Sequence, residues 1–172
     1  MPLHYNGGTM NEPPRHAAFE LLSQWHVDAP IDSVWSALTH PEQWPQWWPY
    51  VRRVTPLVDG EADGLGSVKR FEWGSLLGYG LGFEVQTTEV ARPHRLRGRA
   101  RGELDGEGLW ELQPDGATTR VRYLWRVDVT RPWMRAVAPL AAPLFRWNHN
   151  GVMRAGAEGL ARHLGVRLLD AK

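Results

Sequence analysis

At 172 residues and a formal charge of +1, the chain has the size of one domain and no global drive toward nucleic acid or anionic membrane. It lacks cysteine, which excludes disulfides and thiolate chemistry, and no run approaches the ~18–20 apolar residues of a spanning helix. Ten tryptophans against four phenylalanines suit an aromatic-lined cavity, an interface or a core packed with large flat rings.

Residues 1–16 hold Gly7, Gly8, Pro13 and Pro14 with little periodicity and read as a loose arm; without the apolar centre of a signal peptide, they suggest a cytoplasmic protein. A single domain is expected over 17–165, and 166–172 read as a C-terminal tail. In 19–27, Phe19, Leu21, Ser23, Trp25 and Val27 alternate with Glu20, Gln24 and His26, the period of a strand. Pro30 suits the first turn of a helix, and Ile31, Val34, Trp35 and Leu38 follow at helical spacing to Thr39. PEQWPQWWP gives a second short helix or turn ending at Pro49.

Strands then follow without helices, over 51–59, 67–73, 81–90, 95–104, 107–113 and 118–130. Glycine-rich turns separate the first of these, GEADGLGSVK at 60–69 and GSLLGYG at 74–80; Asp105-Gly106 and Pro114-Asp-Gly116 mark later hairpins. The strand over 95–104 places Arg95, Arg97, Arg99 and Arg101 on one face and Leu96, Gly98, Ala100 and Gly102 on the other. With Arg120, Arg122 and Arg126 the arginines form a row for which Glu84, Glu103, Glu107 and Glu111 are available cross-strand partners.

The long segment from Pro132 to Leu164 reads as one amphipathic helix. Ala141, Phe145, Asn148, His149, Val152, Gly156, Gly159 and His163 share a face opposite Arg154, Glu158 and Arg162. The polar pair and the glycines on the buried face suggest a helix that roofs a partly filled space. Pro139 and Pro143 should kink or divide its first half. The apolar stretch from Trp133 to Phe145 is open to four readings: a pocket gate, a dimer contact, a membrane-touching edge, or a segment simply packed over one end of the barrel.

Hairpin-linked strands are antiparallel and carry one wet face, so the other needs a cover, and only the long helix is large enough. The expected architecture is α+β: a seven-stranded curved antiparallel sheet wrapped around a long C-terminal helix, with two short helices after the first strand. Such a sheet and helix leave room between them, most of all where the arginine-bearing strand offers glycine and alanine.

This order of elements, with WHVDAPIDSVWSALTHPEQWPQWWPYV near the start and PLFRWNHNGVMRAGAEGLARHLG near the end, resembles the polyketide cyclase/dehydrase-like members of the START and birch-pollen-allergen superfamily over residues 17–165. The resemblance implies a helix-grip fold with a deep apolar pocket, in a superfamily that includes lipid carriers, receptors, cyclases and dehydratases. Fold alone does not select among them. The turn over 60–69 is also similar to the glycine-rich loop of the plant allergens, and reads as a hairpin turn.

The chemistry expected at the pocket is sparse. Asn148 and His149 on the helix and Tyr123 on the last strand are the candidates for proton transfer or for orienting a carbonyl. Trp25, Phe71, Trp73, Phe83, Trp110, Trp125, Phe145 and Val152 are expected to line the walls with them. No hydrolase, nucleotide or zinc-protease motif is present, and His26 and His94 lack partners at ligand spacing, so no metal and no cofactor are expected. The expected partner is a hydrophobic small molecule, lipid-like or polyketide-like. One alternative is a cyclase or dehydratase using His149, Asn148 and Tyr123; another is a module docking on protein or membrane through the segment from Trp133 to Phe145.

Overall fold

The structure, a computed structural model, describes residues 19–172 apart from the side chains of Ala138 and Pro139, so the arm read over residues 1–16 lies outside the described residues. Strand β1 (Phe19–Val27) buries every second side chain, as its alternation requires. Helix α1 (Ile31–Thr39) follows Pro30 and buries Val34, Trp35, Ala37 and Leu38. A 3₁₀ turn (Pro41–Gln43) leads into the short α2 (Trp44–Trp47). Six strands then succeed one another: β2 (Val51–Val58), β3 (Val68–Trp73), β4 (Leu81–Ala91), β5 (Arg95–Gly102), β6 (Leu104–Asp115) and β7 (Thr118–Val129). Helix α3 (Pro132–Leu164) and strand β8 (Leu168–Ala171) complete the chain.

All strands form one antiparallel sheet in the order β2-β3-β4-β5-β6-β7-β1-β8. The sheet therefore has eight strands, not seven. Residues read as a C-terminal tail add the edge strand β8 beside β1, and the main chains of Gln24 and Lys172 exchange two hydrogen bonds at 2.8 and 2.9 Å. The β5–β6 turn also differs from expectation. It falls at Gly102 and Glu103, where Gly102 takes φ +128°, and Asp105 and Gly106 lie within β6. Gly106 is needed there for close approach: a Cβ would lie 2.0 Å from the carbonyl oxygen of Arg126 on β7.

Helix α3 is unbroken through Pro139 and Pro143, so of the two expectations, a kink or a division, the prolines do not divide it. Pro143 is exposed, so water can replace the backbone bond it removes, and the alanines and leucines around it favour helix. The helix ends where Gly165 adopts a left-handed conformation (φ +67°) and its N–H caps the last turn. Asn148, Val152, Gly156 and Gly159 are buried, while His163, placed on the same face by periodicity, is exposed and stacks on Trp47 at 6.0 Å.

Tryptophans from α2 fill the space between α3 and the sheet. Trp48, 1% exposed, donates from Nε1 to the carbonyl of Val152 at 2.9 Å and packs on Trp44 and Trp73, both at 5.1 Å between ring centroids. The glycines of α3 make this possible. A Cβ on Gly156 would lie 2.2 Å from the Trp48 ring, and one on Gly159 would lie 1.9 Å from the Trp47 carbonyl. The thinning of the helix face in its second half thus admits α2; it does not enlarge a pocket there. On the outer face most of the arginine row is paired with carboxylates. Arg95 and Arg97 pair with Glu89, Glu111 and Glu107, Arg99 with Asp105, Arg122 with Glu111 and Arg126 with Glu20.

Candidate functional site

Two cavities lie on the inner side of the sheet. The first, about 140 Å3, is enclosed by the first half of α3, the β3–β4 loop and the inner faces of β1, β4, β6 and β7. The second, about 130 Å3, lies toward the 3₁₀ turn, the β2–β3 turn and β5, and borders no residue of α3. Trp44, Trp73, Phe83, Trp110, Tyr123 and Trp125 line both, so the two adjoin along a shared wall of six aromatic rings.

Sheet register builds this wall. Trp110 on β6 and Tyr123 on β7 are cross-strand partners on the same face, and their rings stack at 4.0 Å with planes 23° apart. Tyr123 and Trp125, two residues apart on one strand, stack at 5.9 Å. Glycine provides the space for them: a Cβ on Gly108 would lie 2.8 Å from the Tyr123 hydroxyl and 2.9 Å from the Trp125 ring. Gly98, the partner of Gly108 across β5 and β6, lines the second cavity. The room expected beside β5 is therefore present, displaced from α3 by the ring wall.

At the first cavity α3 presents Phe145, Asn148, His149, Val152 and Met153. Asn148 is committed to structure. Its Oδ1 accepts the Leu76 N–H at 2.9 Å and its Nδ2 reaches the Tyr79 hydroxyl at 3.4 Å, which ties the β3–β4 loop to the helix. Leu76 also packs where Gly151 leaves room, since a Cβ there would lie 2.2 Å from it. His149 is different: both ring nitrogens are buried and neither meets a partner with hydrogen-bond geometry. Trp73 Nε1 is a third such nitrogen in the wall. Burial pushes the His149 pKa down to about 4, against a smaller opposing pull from the Asn150 side chain, so the imidazole is neutral at pH 7. Burial raises the pKa of Tyr123, and likewise that of Tyr79, and the phenols stay protonated. A neutral imidazole can accept a proton or donate a hydrogen bond, and a neutral phenol can donate one.

Of the residues expected to line the pocket, Trp73, Phe83, Trp110, Tyr123, Trp125, Phe145, Asn148, His149 and Val152 border the first cavity, and Phe71 borders only the second. Trp25 is a correction: it borders neither, being held edge-on between Trp48 at 5.6 Å and Trp110 at 5.4 Å, behind the wall. Inward alternation cannot distinguish a ring on the cavity surface from one in the layer beneath it. Periodicity also missed Trp44, Trp48, Ser75, Tyr79 and Met134, which line the first cavity from the short helix, the loop and the start of α3. Lys69 was missed at the second cavity although its spacing from Phe71 and Trp73, two and four residues on, was a usable signal.

Beside the first cavity α3 exposes Trp133, Val137, Leu140, Leu144 and Trp147 at spacings of four and three residues, with Leu140 91% exposed. Leu76 and Leu77 of the β3–β4 loop are also exposed. Among the described residues no helix is long and apolar enough to cross a membrane, and no cluster of His, Asp and Glu could hold a metal ion.

Solved structures share this fold at low identity. A protein from Thermus thermophilus, TTHA0849, matches at TM-score 0.66 and 18% identity, covering 84% of this chain and 99% of its own. A START superfamily protein from Mycobacterium smegmatis matches at 0.65 and 18%, covering 84% and 98%. The di-domain aromatase/cyclase BexL from the BE-7585A biosynthetic pathway matches at 0.67 and 18%, covering 87% of this chain and 50% of that one. No curated protein matches the chain. The model of the family described as polyketide cyclase / dehydrase and lipid transport matches residues 19–165, and the chain belongs to that family.

Proposed function

We propose that this protein binds a hydrophobic small molecule, lipid-like or polyketide-like, between the sheet and α3. The observation that carries the reading is an apolar cavity of about 140 Å3 lined by His149 and Trp73, whose three ring nitrogens are buried and meet no partner with hydrogen-bond geometry. Buried polar atoms are normally paired, so unpaired ones on side chains that border a cavity suit a ligand that supplies the missing acceptor or donor after a small turn of the ring. Each cavity is comparable with the ~150 Å3 space that accepts a benzene molecule. A ligand occupying both would carry a bicyclic body or an acyl chain of similar bulk. Native mass spectrometry of the purified protein tests this: a co-purifying apolar molecule supports it. Failure of every aromatic and acyl probe to perturb the wall tryptophans in a fluorescence titration overturns it.

A second reading, a cyclase or dehydratase, is favoured by the neutral imidazole of His149 and the neutral phenol of Tyr123 at one cavity, groups suited to enolising a carbonyl or expelling water. His149→Ala separates the two. A carrier keeps the apolar share of its binding and loses only the hydrogen bond to the imidazole, whereas an enzyme loses turnover. Docking through the segment from Trp133 to Phe145 is favoured by its exposed apolar row. Unchanged vesicle and partner binding after Trp133 and Leu140 are made polar removes that reading.

A further inference from the structure

Lys69 is an unexpected residue at the second cavity. On β3 it shares a face with Phe71 and Trp73, both of which line the cavity with it, and its side chain is only 20% exposed. Its ammonium reaches outward to Glu42 on the 3₁₀ turn at 2.6 Å. Burial alone would raise the Glu42 pKa, but the bond from Lys69, a backbone hydrogen bond and the nearby charges of Lys69 and His40 together outweigh it and hold the carboxyl below its ordinary value, so Glu42 is ionised at neutral pH. Two hydroxyls stand at the same rim: Ser67 Oγ donates to Thr87 Oγ1 at 3.1 Å, which leaves one hydroxyl proton free. The other charged residues at the rim are already engaged. Arg97 is held by Glu89 and Glu107, and Asp63 accepts the Leu65 N–H at 3.0 Å.

From this geometry we infer that the second cavity seats the carboxylate end of an amphipathic ligand, with Lys69 as its anchor and Thr87 as a further donor, the incoming carboxylate replacing that of Glu42. The inference rests on the proposed binding of a hydrophobic molecule and adds its chemical class, an apolar body with one acidic end. Exchange of one carboxylate for another leaves the ammonium paired throughout, so the anchor is never stranded without a counter-charge. The apolar remainder lies along the aromatic wall.

Isothermal titration of the full chain with 2-naphthoate and with neutral 2-naphthalenemethanol tests the anchor. The wild type should bind the acid about tenfold more tightly than the alcohol. Lys69→Met should abolish that preference and leave the alcohol unchanged, Lys69→Arg should retain part of it, and Glu42→Gln should tighten acid binding several-fold by removing the competitor. Equal affinity of the wild type for both probes, or a preference that survives in Lys69→Met, overturns the anchor while the cavity reading stands. If Lys69→Met does not fold, weaker acid binding in Glu42→Gln overturns it instead. Failure of the wild type to bind either probe overturns the anchor, and overturns the cavity reading too if the acyl probes also leave the wall tryptophans unperturbed.

Discussion

His149 makes the protein sensitive to acid in a way that can be isolated. In the unfolded chain its imidazole binds a proton near pH 6.5; in the folded protein burial delays protonation to about pH 4. Between these values the unfolded state holds the extra proton, so stability is unaffected above about pH 7 and falls as pH drops through the window. At ~1.4 kcal/mol per unit the loss reaches about 3 kcal/mol near pH 4. Replacing His149 by Leu removes the titrating group together with two unpaired buried nitrogens, so at pH 7 the variant should be as stable as the wild type or slightly more so. The assay is urea unfolding at pH 7, 5.5 and 4 for both proteins. Carboxylates protonating in the acid range destabilise both alike, and the variant should retain the His149 increment as pH falls. Parallel loss in the two proteins would refute the assignment of a buried, neutral imidazole. A ring-proton titration by NMR with a midpoint near 6.5 would refute it independently.

Gly156→Ala should destabilise by roughly 1–3 kcal/mol in urea unfolding, because the new methyl meets the Trp48 ring at 2.2 Å, which outweighs the ~1 kcal/mol gained in helix propensity. A more stable variant would show that α2 does not nest on α3 as described. Asn148→Ala removes the acceptor of the Leu76 N–H and should weaken the loop attachment by about 1–3 kcal/mol, read as faster hydrogen exchange confined to residues 74–80. Leu140→Ser, at a position 91% exposed, should leave the urea midpoint within about 0.5 kcal/mol of the wild type. A larger loss would mean that the exposed face of α3 is covered in solution.

The legible part of the molecule is the part governed by period. Phe19, Leu21, Trp25 and Val27 face inward because a strand alternates, and Asn148 and Val152 share the buried face of α3 because four residues make about one helical turn. The cover over the sheet followed from the wet outer face, whose arginines find carboxylates on the neighbouring strands. Strand β8 was missed because four residues carry too little pattern to register, and its place beside β1 is set by Gln24 and Lys172, more than a hundred residues apart.

Glycine shows where such reasoning ends. A glycine on a buried helix face leaves a notch, and the chain alone does not say whether space or a neighbour occupies it; here Trp47 and Trp48 fill the notches at Gly159 and Gly156. On β6 and β5 the notches are filled as well, by Tyr123 and Trp125 at Gly108 and by Val85 at Gly98, but here both glycines border the second cavity. The difference lies in what faces each glycine: a helix brought in by a loop, or rings already fixed on the adjacent strand. Rings on a strand have nowhere else to go, so with Trp44 of α2 they become a wall that borders both cavities. Polar groups at the two cavities then differ for the same reason: α3 brings His149 to one, while β3 and the 3₁₀ turn bring Lys69 and its Glu42 partner to the rim of the other.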